Sequence, residues 1–178
     1  MARLLVVQHC PTPRLVTLGD AVLAGARDPD IEGVEVVVRP ALEATVDDVL
    51  EADAYLLGTS ANLGYISGAL KHFFDTVYDD VREPTAKRPF SYWIRGGYDT
   101  SGAERAMESI TTGLQWSLAA PPLVFTGDVD PHLDAATWRL RLFGAAPRGA
   151  PTRSVPVALP LAGLRRLPAE EHAALLEC

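Results

Sequence analysis

Within six residues, His9-Cys10-Pro11-Thr12-Pro13-Arg14 brings together an imidazole, a thiol, a hydroxyl and a guanidinium. Two chemistries are open to such a run. The thiol sits just ahead of a helix and is expected to have a lowered pKa and to be sensitive to oxidation. The guanidinium of Arg14 can hold an anion through two parallel hydrogen bonds, beside the Thr12 hydroxyl, or can be a solvated arginine of a first helical turn. Two further stretches carry small residues rather than nucleophiles: Gly58-Thr59-Ser60-Ala61-Asn62-Leu63-Gly64-Tyr65 and Arg95-Gly96-Gly97-Tyr98-Asp99-Thr100-Ser101-Gly102. Glycines let backbone approach a ligand closely or simply allow a tight turn, and Tyr98 can cover a ring or stand in solvent.

Other ionisable residues add little. His72 reads as a surface or partly packed histidine, and His132 and His172 lie near the end. Cys10 and Cys178 stand at opposite ends of the chain, without the spacing of a zinc site or a disulfide framework, so no metal site is expected. No His-Asp-Ser order or carboxylate pair stands out at loops that a fold would bring together. That pattern suits a protein whose chemistry a cofactor carries.

The elements that must position these stretches follow from hydrophobic periodicity. Leu4-Leu5-Val6-Val7 reads as a buried parallel strand, and Leu15, Leu18, Val22 and Ala26 mark a helix that ends before Asp28-Pro29-Asp30. A second strand is expected from Val34 to Val38, closed by Pro40; Thr45 to Asp48 then forms a capping box, followed by a third strand, Ala54-Tyr55-Leu56-Leu57. Ile66, Leu70, Phe73, Val77 and Val81 make one helical stripe. A fourth strand from Phe90 to Ile94, a helix through Ala103, Met107, Ile110 and Leu114, a fifth strand Leu123-Val124-Phe125 and a last helix through Leu133, Ala136, Thr137 and Leu140 complete the pattern. Strands alternating with helices imply an α/β fold, a parallel sheet covered on both faces. The loops at 8–14, 59–65 and 95–101 then gather at the carboxyl ends of the strands, where such sheets bind ligands.

Bulk properties set limits on partners. The chain has 178 residues, 48% of them hydrophobic and 22% charged, which suits one ordinary soluble domain with a self-sufficient core. A net charge of −7 without a basic stripe argues against a nucleic-acid partner. The apolar run at the start is too short for a signal peptide or a membrane span, so the expected location is cytoplasmic. Beyond Ala145 the pattern breaks up under Pro147, Pro151, Pro156, Pro160 and Pro168 among several arginines. Residues 1–144 are therefore expected to form the folded domain and 145–178 an extension, either poorly ordered or docked on a partner subunit.

The stretch from Asp48-Val49-Leu50-Glu51-Ala52-Asp53 through Gly58-Thr59-Ser60-Ala61-Asn62-Leu63-Gly64-Tyr65-Ile66-Ser67-Gly68-Ala69-Leu70-Lys71 resembles the signature of the flavodoxin-like NAD(P)H-dependent FMN reductase and quinone reductase families. Ser60 stands where those families usually have proline, whereas Gly64, Ser67 and Gly68 keep their places. The resemblance implies a flavodoxin-like three-layer sandwich with a five-stranded parallel sheet in the order 2-1-3-4-5. It also implies FMN as cofactor and NAD(P)H as co-substrate. On that basis Ser60, Ala61, Asn62, Leu63, Gly64 and Tyr65 contact the flavin ring, with Arg95, Gly96, Gly97, Tyr98 and Asp99 as the second ring-binding loop. Arg95 would place positive charge near the reduced ring or pair with Asp99.

In the same families the first loop holds the FMN phosphate with a Ser/Thr- and Gly-rich turn. Here it comprises His9, Cys10, Thr12, Arg14 and Leu15 with two prolines that remove backbone donors, so the grip shifts towards Thr12, Arg14 and the remaining N–H groups. His-Cys followed by arginine is also similar to the protein tyrosine phosphatases, but their spacing of cysteine and arginine would put the arginine at Val16. The expected function is an FMN-dependent oxidoreductase that passes hydride from NAD(P)H to a quinone, a flavin or another small acceptor. The alternatives are a flavodoxin electron carrier and an interaction module that has lost its cofactor. The resemblance further implies a homodimer or homotetramer, and Trp93, Trp116 and Trp138 are either interface or core aromatics.

Overall fold

A computed structural model describes residues 1–127 together with the backbone of 139–143 and 156–160. Strand and helix alternate through β1 (Ala2–Gln8), α1 (Pro13–Ala26), β2 (Val34–Pro40), α2 (Val46–Glu51), β3 (Ala54–Asn62), β4 (Tyr65–Ile66), α3 (Gly68–Val81), β5 (Pro89–Gly96), α4 (Ser101–Gly113), β6 (Ser117–Leu118) and β7 (Leu123–Thr126). The sheet runs β2-β1-β3-β5, with β6 and β7 both parallel to the outer side of β5. The expected order 2-1-3-4-5 is therefore present.

The expected fifth strand, Leu123-Val124-Phe125, is β7, and a further short strand that the sequence reading lacked, β6, precedes it. Ser117–Leu118 pairs with the start of β5 and Leu123–Thr126 with its end. Pro121 and Pro122 fall between them, and neither can donate to the ladder. The last expected helix is also corrected in part: residues 128–138 lie outside those described, while Leu140 falls in a strand, β8 (Arg139–Phe143), that pairs antiparallel with β9 (Pro156–Pro160). Of the four positions that carried the helical spacing, only Leu140 lies among the described residues, and there the chain is extended.

Each face of the sheet has its own core. Leu4, Val6, Leu56 and Trp93 pack against Leu15, Leu18, Val22 and Ala26 of α1. On the other face, Leu5, Val7, Tyr55, Leu57 and Ile94 pack against Leu70, Phe73, Val77 and Val81 of α3 and against Ala103 and Met107 of α4. Alternation along each central strand sends successive side chains to opposite cores, which is why these strands read as unbroken apolar runs. Trp93 and Trp116 are core residues: Trp93 is fully buried, and the Trp116 ring stacks on Tyr55 at 4.0 Å while its Nε1 donates to Thr85 Oγ1 at 2.8 Å. Trp138 lies outside the described residues.

The caps follow the sequence closely. Asp48 N–H donates to the Thr45 hydroxyl at 3.2 Å and Thr45 N–H to the Asp48 carboxylate at 3.0 Å, the reciprocal pair expected of a capping box. Ser67 caps α3 by accepting from Leu70 N–H at 3.2 Å. Ile66, counted in the helical stripe, belongs instead to β4 and reaches the same core from there. Among the described residues no helix is long and apolar enough to cross a membrane, and no group of side chains is arranged to hold a metal ion.

Candidate functional site

Register brings the three candidate stretches together. Gln8 of β1 stands opposite Gly58 of β3, Gly58 opposite Trp93 of β5, and Ser60 opposite Arg95. The strand order reverses at β1, with β2 on one side and β3 on the other, so the carboxyl edge of β1, β3 and β5 is the switch point of the sheet.

The first turn is committed to starting α1. Thr12 is the N-cap, in extended backbone, and its Oγ1 accepts from Leu15 N–H at 3.4 Å. Pro13 follows at the first helical position, where its missing N–H costs nothing. Leu15, expected among the ligand contacts, is 3% exposed and belongs to the α1 core, leaving only its capped N–H near the turn. Arg14 is exposed and already interacts with another group of the chain.

Cys10 corrects an expectation. Burial, reinforced by the negative charge of Asp20, pushes its thiol up to about 11 rather than down. Its side chain packs with the α1 core, close enough that a Cβ at Gly19 would stand 3.1 Å from its Sγ. The thiol is therefore protonated at neutral pH, and the lowered value expected from a helix start does not arise in this half-buried setting. His9 donates its backbone N–H to Gly58 O at 3.0 Å, while its Nδ1 is buried without a partner.

The stretch 59–65 is less a loop than a hairpin. β3 continues to Asn62, which pairs with Tyr65 of β4 across a two-residue turn. Leu63 and Gly64 both have positive φ, 51° and 77°, as the tight turns that match strand twist require. Glycine accepts this freely; leucine does not, and the Leu63 side chain is fully exposed beside a half-exposed Tyr65. Ser60 lies on β3 and is buried, with its Oγ unpartnered. Behind the hairpin, the Thr59 hydroxyl accepts from Ser67 N–H at 3.0 Å and so ties the strand to the start of α3.

The third stretch is likewise shorter than expected, because Arg95 and Gly96 still belong to β5 and Ser101 opens α4. Arg95 does not pair with Asp99. Its Nη2 donates to Gly127 O at 2.8 Å and its Nε is buried without a partner. Asp99 instead accepts from the Ser101 backbone N–H at 3.0 Å and hydroxyl at 2.9 Å, which hold its carboxyl below the usual range although it is fully exposed. Gly97 and Tyr98 are exposed at the tip, Tyr98 completely. Gly96 is a cradle: a Cβ there would meet Thr100 Cγ2 at 2.7 Å and Asp99 O at 2.9 Å.

The stretches thus share an unusual property. His9 Nδ1, Ser60 Oγ and Arg95 Nε, one from each, are buried side-chain atoms without a hydrogen-bond partner. Buried polar atoms are ordinarily satisfied, so three unpaired ones at one sheet edge set these stretches apart. Gln8 Oε1 and Trp93 Nε1 share the condition one row further in. Gln8 opens the 8–14 stretch and is the one polar residue ending an apolar strand. Trp93 lies over Gly58, where a Cβ would come within 2.5 Å of its ring. His72 is exposed on α3, and His132 and His172 lie outside the described residues.

A parallel β2-β1-β3-β5-β7 sheet with helices on both faces is a flavodoxin-like fold. A curated flavodoxin of Aquifex aeolicus (strain VF5) is 36% identical over 115 residues, 64% of this chain and 60% of the relative. The chain thus spans about three-fifths of the length of the curated relative it matches. The two-electron reduced flavodoxin of Megasphaera elsdenii superposes with a TM-score of 0.58 at 15% identity, over 68% of this chain and 85% of that one. An NADH:FMN oxidoreductase in its apo form superposes with a TM-score of 0.55 at 11% identity, over 70% of this chain and 76% of that one. No protein-family model matches the chain.

Proposed function

We propose that this chain binds FMN at the carboxyl edge of β1, β3 and β5, and that it is an oxidoreductase using NAD(P)H and a quinone, a flavin or another small acceptor. The observation that carries the reading is the set of unpartnered buried atoms, His9 Nδ1, Ser60 Oγ and Arg95 Nε, at the three stretches where a flavin's polar groups would lie. These residues fit FMN. Arg14, Thr12 and the first N–H groups of α1 would face the phosphate, while Ser60 to Tyr65 and Gly96 to Asp99 would flank the ring, with backbone towards its polar edge. Bound FMN would supply the hydride and electron transfer. The chain's own part is to orient the ring, to bring Arg95 close to it and to keep water from its inner side.

The open rim agrees with a small second substrate or with a neighbouring subunit closing the pocket, since Leu63 and Tyr98 are fully exposed. Assembly as a homodimer or homotetramer in the cytoplasm is part of the same proposal. A second reading, a one-electron carrier between proteins, is favoured by the 36% identical relative named flavodoxin.

Visible absorbance of the purified protein before and after FMN addition tests the binding. A shifted, structured flavin band supports it, and a protein that stays colourless and leaves free FMN unchanged overturns both readings in favour of an interaction module. With flavin bound, stopped-flow mixing with NADH and NADPH decides between the rest: rapid bleaching means a reductase, very slow bleaching by either nucleotide a carrier.

A further inference from the structure

Gly102, the second residue of α4, lies directly against the turn of the β3–β4 hairpin. A Cβ at Gly102 would stand 2.0 Å from the carbonyl oxygen of Gly64 and 2.9 Å from its carbonyl carbon. Backbone opposes backbone there, so neither side can give way as the end of a long side chain can. Gly113, near the other end of the same helix, differs: its Cβ would meet the Tyr78 hydroxyl at 2.5 Å, the movable tip of a side chain. Gly68 and Gly97 would meet nothing.

Both partners of this contact are fixed to what lies behind them. Gly64 is held at φ 77° by the two-residue turn. The start of α4 is tied to the turn before it by the Asp99 bonds to Ser101 and by the Thr100 hydroxyl, which donates to Glu104 at 2.6 Å. Gly96 adds close packing on Thr100 and Asp99. A shift of α4 at Gly102 must therefore move the hairpin or open the 97–99 turn.

We propose that Gly102 is a positioning residue: its contact with Gly64 sets the spacing between the 63–64 hairpin and the 97–99 turn, and so the width of the slot between them. That slot takes the flavin ring, which rests on the FMN reading; the mechanical coupling of the two turns does not. Alanine is the better helix former, so a methyl group at this point favours the helix itself and can weaken flavin binding only through the spacing.

The test compares Gly102→Ala with Gly68→Ala and Gly113→Ala. FMN and riboflavin dissociation constants are read from fluorescence quenching, stability from urea midpoints, and local opening from hydrogen exchange of the apo protein. Gly102→Ala is expected to weaken FMN and riboflavin by the same factor, about tenfold or more, because the ring end is affected and the phosphate end is not. Exchange should rise together at 64–66 and 97–101. Gly68→Ala should change neither, and Gly113→Ala should lower the urea midpoint without weakening either flavin. Wild-type flavin affinities in Gly102→Ala, equal weakening in Gly113→Ala, or faster exchange in only one of the two segments would each overturn the role. If Gly102→Ala does not fold, wild-type exchange still decides, since coupled turns open with one free energy and independent turns with two. If the wild type binds neither flavin, the FMN reading fails while exchange alone judges the coupling.

Discussion

The turn before α1 and the paired turns at the ends of β3 and β5 occupy one sheet edge but are built on opposite plans. The first is shaped by its side chains: Thr12 caps the helix, Cys10 is tucked into the core, and two prolines set the backbone. The other two carry exposed Leu63 and Tyr98 at their tips and meet through a backbone contact between Gly64 and Gly102. A side-chain-rich turn can be reorganised by a single substitution, whereas a backbone-built slot is changed only through spacing and support.

The largest expected effect is on that support. Trp93 fills the hollow above Gly58, directly beneath the row that holds Ser60 and Arg95. Trp93→Ala should lose about 3–5 kcal/mol in urea denaturation, as deleting a fully buried large aromatic does. A loss below about 1 kcal/mol would mean that the slot does not rest on this ring.

Arg14→Ala addresses the first turn. FMN binding should weaken by about 1.5–3 kcal/mol while riboflavin binding stays unchanged, the pattern of a lost charge-assisted phosphate contact. Equal weakening of both flavins would place Arg14 outside the phosphate site.

Thr12→Ala separates capping from ligand binding in the same turn. Removing the cap should lower stability by about 1 kcal/mol, measured by thermal or urea unfolding without flavin. An unchanged apo stability would show that the Thr12 hydroxyl is not engaged as the structure has it. Leu63→Asn is the counterpart in the hairpin and should raise apo stability by somewhat less, about 0.5–1 kcal/mol, because asparagine tolerates the left-handed backbone that leucine resists. A decrease would mean that Leu63 is held by contacts rather than strained.

A last effect is confined to alkaline pH. The Cys10 thiol is raised from 9.0 to about 11, so the unfolded chain loses its proton first. The contribution is fully present below about pH 9 and is lost as pH rises towards 11. Tyr55 and Tyr92, raised chiefly by burial, act in the same direction. Cys10→Ser should flatten the fall in urea midpoint over that range, and an unchanged slope would sink the thiol's part.

Much of the fold was legible because it rests on short-range rules. Unbroken β-rich runs such as Leu4 to Val7 suit a strand buried on both faces, and the Thr45–Asp48 box fixes a helix start by side chains a few residues apart. The expected strand order followed from resemblance and agrees with the observed pairing. What escaped was long-range. The hairpin at Leu63 and Gly64 depends on β3 extending past its apolar run, the added strand β6 on how β5 presents two separate pairing sites, and the Cys10 thiol on what buries it. Gly102 carried no local signal either, since its constraint comes from Gly64, 38 positions earlier.

Pro121 and Pro122 do more than separate β6 from β7. Among the described residues β6 and β7 form one border of the sheet and β2 the other. An open border offers unpaired N–H and C=O groups on which another chain can build, the first step of aggregation. Two prolines in mid-border, and charged Glu35 and Arg39 with Pro40 along β2, interrupt both borders before a long unpaired ladder can form. A sheet with such apolar central strands therefore carries its own protection against recruiting a neighbour edge to edge.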